Sequence, residues 1–207
     1  KYDPEKIETI SSFPATINSD WYASVSNDGQ KVAYYSKPKF VVRKIADWSL
    51  VNEWNDVDAG NDKHFIVSCS MSDNDKLAAL DENGKVNLYN LITGELLNSD
   101  TIEINDLKPG KCVLSPDGTK LVAMVDYWYN QFAYYNLNND GWNKMEQVTN
   151  PSTDVFYSAD GQQVVLAGFN QIQIRNVSDF SLQISYPIQD GYFRTVEIGR
   201  ASCRERV

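Results

Sequence analysis

A four-residue turn recurs four times along this chain at a nearly constant interval, and that period restricts the fold more than any other feature. The copies are Ser26-Asn27-Asp28-Gly29, Ser72-Asp73-Asn74-Asp75, Ser115-Pro116-Asp117-Gly118 and Ser158-Ala159-Asp160-Gly161, with their serines 46, 43 and 43 residues apart. Asp-Gly favours a tight hairpin, because glycine reaches positive φ without steric cost. One and three residues before each serine stand Val25 and Ala23, Met71 and Cys69, Leu114 and Cys112, and Tyr157 and Val155. That period of two marks one apolar face of a strand. Short apolar runs follow the turns, at residues 32–35, 77–80, 121–124 and 164–167. They are bounded by turns and predict strands buried on both faces.

A third and a fourth strand follow in register. Seventeen residues after Ser26, Ser72 and Ser158 come Arg43, Tyr89 and Arg175; nineteen after, Ile45, Leu91 and Val177; twenty-four after, Leu50, Leu96 and Leu182. The third copy matches with three residues added, at Tyr135, Leu137 and Trp142. The apolar spacing of a helix is absent. A four-stranded antiparallel unit of about 40 to 45 residues has the size of one propeller blade, and a blade buries both faces only by stacking on its neighbours. The expected fold is therefore all-β: a β-propeller fragment of about four four-stranded antiparallel blades, near residues 19–56, 64–103, 110–149 and 152–188. A partial blade is expected at each end, with an outer strand near residues 6–13 and an inner strand near 192–196. The pattern breaks off at both ends, so a larger parent ring is expected.

The stretch Cys112-Val113-Leu114-Ser115-Pro116-Asp117-Gly118-Thr119-Lys120-Leu121-Val122 resembles the first hairpin of a WD-repeat blade. It is equally similar to the Tyr-Val-Thr-Asn-type and TolB-like bacterial propellers. Where such blades carry Trp-Asp, this chain has Arg43-Lys44, Tyr89-Asn90, Tyr135-Asn136 and Arg175-Asn176, and the Gly-His dipeptide is missing. The resemblance thus implies a divergent relative without the His/Ser/Asp network of WD repeats. It favours a bacterial protein, in the cell envelope or secreted.

Residues 197–207, EIGRASCRERV, back-translate in frame to the reverse read of a common short-read sequencing adapter. They are expected to be a non-native tail on a natural segment of residues 1–196. The chain has 19 basic and 28 acidic residues; without the tail these become 16 and 26, a formal charge of −10. Such a surface repels a phosphate backbone, which disfavours nucleic acid as a partner. No apolar run approaches the roughly 20 residues of a membrane-spanning helix. Cys203 falls in the tail, and Cys69 and Cys112 make no disulfide framework. These two share one position in adjacent blades, where Ala23 and Val155 stand in the others, so both are expected to be buried, reduced and on inner strands.

Few residues point to chemistry. His64 is the only histidine, and alone it forms neither a metal set nor a catalytic pair. The segment from Asp56 to Asp62 is acidic, but Gly60, Asn61 and Val67 stand where a calcium loop needs oxygen ligands, glycine and glutamate. The Asp-Gly turns lack the Ser-x-Asp-x-Gly spacing of sialidase boxes. No nucleophile elbow, zinc motif or phosphate loop occurs. No catalytic residue, metal ligand or cofactor is therefore assigned. The added length of the third blade falls at Asp126-Tyr127-Trp128-Tyr129-Asn130-Gln131, between its second and third strands. The propeller resemblance puts this connection on the face used for binding, and Tyr and Trp are enriched at binding hot spots. The expected contact residues are Tyr127, Trp128, Tyr129 and Asn130, with Glu82, Asn83, Phe169, Asn170 and His64 on the same face. The partner would be a protein, a peptide (a basic one suits the acidic rim) or a glycan stacked on the rings. The alternative is the propeller domain of a larger enzyme: a prolyl oligopeptidase-like peptidase, or a ring lactonase with acidic ligands converging on its pore.

Overall fold

A computed structural model describes residues 22–58, 65–102, 109–125, 131–138, 141–149, 152–168 and 171–187. Among these are sixteen strands and no helix. Blade 1 comprises β1 (Tyr22–Val25), β2 (Lys31–Ser36), β3 (Lys39–Lys44) and β4 (Leu50–Asn55). Blade 2 comprises β5 (Ile66–Met71), β6 (Lys76–Asp81), β7 (Lys85–Asn90) and β8 (Leu96–Thr101). Blade 3 holds β9 (Pro109–Leu114), β10 (Lys120–Val125), β11 (Gln131–Asn138) and β12 (Gly141–Thr149); blade 4 holds β13 (Ser152–Tyr157), β14 (Gln163–Gly168), β15 (Gln171–Asn176) and β16 (Leu182–Pro187). Each blade is one antiparallel sheet with its strands in chain order. The expected all-β blades are thus present, while the partial blades and the tail lie outside the described residues.

The recurring turn is held by its own side chains. Each serine hydroxyl donates 2.6 Å to the Asx side chain two residues on: Ser26 to Asp28, Ser72 to Asn74, Ser115 to Asp117 and Ser158 to Asp160. The same hydroxyl accepts the backbone N–H of Lys31, Lys76, Lys120 or Gln163 as the second strand begins. Gly29, Gly118 and Gly161 take the positive φ that the turn needs, and Asp75 takes it in the second copy at 62°. That second turn is one residue shorter, closing from Ser72 N–H to Lys76 O rather than across the span of Ser26 to Lys31. The following connection restores the register by being one residue longer, Glu82-Asn83-Gly84 against Lys37-Pro38.

The apolar cores lie between the blades. Tyr35 and Phe40 of blade 1 pack with Leu77 and Tyr89 of blade 2. Leu80 and Val86 of blade 2 pack with Leu121 and Tyr135 of blade 3. Met124 and Tyr134 of blade 3 pack with Val164, Leu166 and Phe180 of blade 4. Alternate residues of β6 serve opposite neighbours: Leu77 and Ala79 join the cluster with blade 1, Ala78 and Leu80 the cluster with blade 3. This explains the unbroken apolar runs in place of a half-polar alternation. Each large buried side chain contributes about 1.5–3 kcal/mol.

Serine hydroxyls also join the inner strands. Ser24 accepts the N–H of Met71 at 3.0 Å, Ser70 that of Leu114 at 2.9 Å, and Ser68 that of Cys112 at 3.1 Å. At the junction of blades 3 and 4, Val113 occupies the place of Ser24 and Ser70, and an ion pair of Lys111 with Asp154 spans the gap.

Two expectations need correction. Trp142 was matched with Leu50, Leu96 and Leu182, but it pairs with Leu137, whereas Leu50 pairs with Arg43 and Leu96 with Tyr89. β11 and β12 run on toward a tighter hairpin at Asn138 and Gly141, so Lys144 lies opposite Tyr135 instead. Cys69 and Cys112 are both free and on inner strands, but only Cys112 is buried; Cys69 is half-buried. Cys69 packs against the cluster between blades 1 and 2 and lines the cavities among the inner strands.

Candidate functional site

The connections β2–β3 and β6–β7 meet the described ends of the link between blades 1 and 2 at one end of the arc. Glu82 N–H donates to Phe65 O, Asp56 N–H to Pro38 O, and the Lys37 ammonium sits 4.6 Å over the Phe65 ring. Glu82 and Asn83 are exposed here, with Val57 and Phe65 beside them. Asp81 builds the turn that presents them, accepting the N–H groups of Asn83 and Lys85 at 2.8 and 2.7 Å.

Beneath this end lies a polar network between blades 1 and 2. The Tyr89 hydroxyl donates 2.7 Å to Asp56, and Asn87 Nδ2 reaches both Tyr89 Oη and Asp58 Oδ2. Asn87 Oδ1 accepts from the Ser99 hydroxyl, and Lys85 Nζ binds both oxygens of Asp58 at 2.9 and 2.7 Å. Burial pushes the Tyr89 phenol well above its ordinary pKa, and the Asp56 carboxylate adds to the shift, so Tyr89 stays a donor. The two carboxylates that began the acidic 56–62 segment thus face a phenol and an ammonium. Asn87 and Tyr89 are buried polar groups that alternate on β7. Their alternation was visible in the sequence, but their partners came from a connection with no strand pattern.

Inner strands of the four blades surround an open centre. A cavity of about 300 Å³ is bounded by residues that include Ser24, Ser70, Cys112, Val113 and Tyr157. A second, of about 390 Å³, lies where these strands begin, against Tyr22, Ser68, Gly110 and Lys111. Burial holds the Cys69 thiol well above its ordinary pKa and pushes Cys112 up to about 12, so neither is a nucleophile at neutral pH. Asp154 is the one carboxylate on the four inner strands, and it pairs with Lys111.

Of the expected contact residues, the structure places Glu82 and Asn83 together at this end. Tyr127, Trp128, Tyr129, Asn130, Phe169, Asn170 and His64 lie outside the described residues. Phe65, Val57 and the Tyr89 network are features of the same end that the sequence did not single out.

No protein-family model matches the chain, and no curated protein matches it. Solved structures do. The β-propeller domain of Cps50 (Swd1) from Myceliophteria thermophila superposes with a TM-score of 0.62 at 15% identity, over 89% of this chain and 60% of that one. A provisionally assigned 6-phosphogluconolactonase from Bacteroides uniformis superposes with a TM-score of 0.59 at 17% identity, over 78% of this chain and 52% of that one. Identities this low speak for the fold alone: the chain is β-propeller-like, and it spans little more than half the length of these propellers.

Proposed function

We propose that this chain is a binding module, a propeller arc that presents the connections of one end to a protein, peptide or glycan and performs no chemistry itself. The length of one connection carries the reading. β10 ends at Val125 and β11 begins at Gln131, whereas Lys37-Pro38 alone separates β2 from β3. The flanking strands keep the common register, with Tyr135 opposite Leu121 as Arg43 is opposite Val32. The blade core therefore does not need the added residues, and they include Tyr127, Trp128 and Tyr129. Added length on a rigid scaffold is how recognition loops arise. Exposed Glu82 and a net charge of −9 favour a basic peptide among the candidate partners. We place the chain beside the WD-repeat-like and TolB-like propellers on its hairpin motif.

The likeness to the provisionally assigned lactonase supports a second reading, the propeller of an enzyme. That reading calls for acidic ligands converging on the centre, and the paired state of Asp154 speaks for the binding module instead.

The test is Trp128→Ala. Stability is expected to stay within about 0.5 kcal/mol, as for surface substitutions. Affinity for whichever ligand is found on a panel of basic peptides and glycans should fall by about 2 kcal/mol or more. Large destabilisation with binding unchanged would place Trp128 in the core and move the site elsewhere.

A further inference from the structure

An aspartate or asparagine precedes glycine at four described turns, and in three of them the acidic side chain is fastened. Asp28, Asp117 and Asp160 stand before Gly29, Gly118 and Gly161. Each accepts a serine hydroxyl at 2.6 Å. Each also accepts the N–H of the residue two positions on, Gln30 at 2.9 Å and Thr119 and Gln162 at 3.0 Å. The glycine N–H of these turns donates to the serine carbonyl at 2.8 or 2.9 Å. A carboxylate held in this way stays ionised, and its carbon resists attack by a neighbouring nitrogen.

The connection between β6 and β7 departs from this pattern. Asn83-Gly84 is the only Asn-Gly pair in the chain. Asn83 is exposed, and its side-chain amide has no hydrogen-bond partner among the described residues. Asp81 accepts the backbone N–H groups of Asn83 and Lys85, which fastens the main chain and leaves that amide loose. Gly84 N–H donates to Asp81 O at 3.2 Å, the longest of the backbone bonds outside the strands among the described residues. Gly84 takes a φ of 82° and carries no Cβ to crowd an approaching side chain. It is buried, so its nitrogen is bared by local opening of the turn, and the long bond is the one that must break for this.

We propose that Asn83 is a self-modifying site, converting to aspartate and isoaspartate through a cyclic imide formed with Gly84, with water as the only co-reactant. Hydroxide takes the Gly84 amide proton, and the nitrogen bonds to Asn83 Cγ. The Cγ–Nδ2 bond breaks, and Nδ2 leaves as ammonia after taking up a proton from water. Water then opens the ring. Opening at the side-chain carbonyl gives aspartate; opening at the main-chain carbonyl gives isoaspartate, with a methylene added to the backbone between β6 and β7. One water is consumed and one ammonia released, with no change of oxidation state. Either product sets a new carboxylate beside exposed Glu82. The chemistry does not depend on the ligand-binding reading.

The experiment incubates the folded 207-residue chain in mildly alkaline buffer and follows its tryptic peptides by mass spectrometry against an unincubated sample. Cleavage after Lys76 and Lys85 isolates Asn83 in one short peptide, residues 77–85. That peptide should gain the mass of an amide-to-acid exchange at least about tenfold faster than any other asparagine-bearing peptide. The product should separate into two species of equal mass, of which one accepts a methyl group from an isoaspartate-specific carboxyl methyltransferase. Asn83→Gln, whose longer side chain closes a larger ring slowly, should keep the thermal unfolding of the parent and lose the mass gain. A synthetic peptide of residues 77–85 reports the same chemistry without the turn. Conversion of that peptide, with none in the folded chain, would overturn the proposal and show that the turn protects Asn83. Faster conversion of another asparagine in the folded chain would overturn it as well.

Discussion

Ser115 is fully buried, and one hydroxyl does three things: it donates to Asp117, accepts the N–H of Lys120 and lies 3.3 Å from Lys120 O. Ser115→Ala leaves that amide without its side-chain partner and should destabilise the chain by about 1–2 kcal/mol in urea unfolding. Burial raises the pKa of Asp117, but hydrogen bonds from Ser115 and from the backbone and side chain of Thr119 outweigh it and hold the carboxyl below its ordinary value. Asp28 and Asp160 are lowered mainly by Ser26 and Ser158, with the N–H groups of Gln30 and Gln162 assisting. A carboxyl lowered on folding contributes stability that is complete above its unfolded pKa of about 3.9 and is lost as pH falls through the folded value. Acid unfolding should therefore steepen below about pH 4. In Ser115→Ala, the Asp117 titration followed by NMR should move upward, and an unmoved titration would contradict the assignment of the shift. Serine, Asx and glycine spacing made this motif legible, since each residue type does a job that no other does as well. Asp75 in the glycine position was not, because Asp tolerates positive φ without requiring it.

Hairpins between third and fourth strands show how neighbouring blades share volume. Trp48, Gly94 and Phe180 occupy one position in blades 1, 2 and 4, all at positive φ, of 58°, 73° and 59°. Left-handed backbone costs a non-glycine residue about 1–2 kcal/mol. Phe180 is held there by its stack on Tyr134 of blade 3 at 4.3 Å, and by Arg175, which lies over its ring and donates to its carbonyl. At the junction of blades 1 and 2 the aromatic comes from the other side: a Cβ on Gly94 would stand 2.9 Å from Trp54 Cβ and Cγ. Gly94→Ala should thus cost about 2–3 kcal/mol by adding an overpacked contact to the backbone strain. Combining it with Trp54→Ala should cost less than the two changes summed, measured by a double-mutant cycle in urea. Strict additivity would show that the contact is relieved by backbone movement. The strands themselves were legible from alternation and turn residues. The aromatics at positive φ were not, because the reason for them sits in another blade, and β12 was misregistered because a tighter hairpin replaced the expected turn.

Across the whole molecule the three junctions are not alike. Blades 1 and 2, and blades 2 and 3, are joined on their inner strands by hydroxyls that accept backbone N–H groups, whereas blades 3 and 4 are joined there by Lys111 and Asp154. The four-blade period was readable from the sequence, but this difference was not: Val113 looks like any apolar strand residue until Ser24 and Ser70 are seen at work. Neutral hydrogen bonds respond weakly to salt, while a pair with Lys111 40% exposed is open to screening. Hydrogen exchange in β13 should accelerate as ionic strength rises, while exchange in β5 changes little. Equal acceleration in both strands would show that the ion pair does not control the junction. At the junction of blades 3 and 4 the described tie between inner strands is a pair of opposite charges, so dissolved ions loosen that tie while leaving the apolar packing of Met124 and Tyr134 on blade 4 in place.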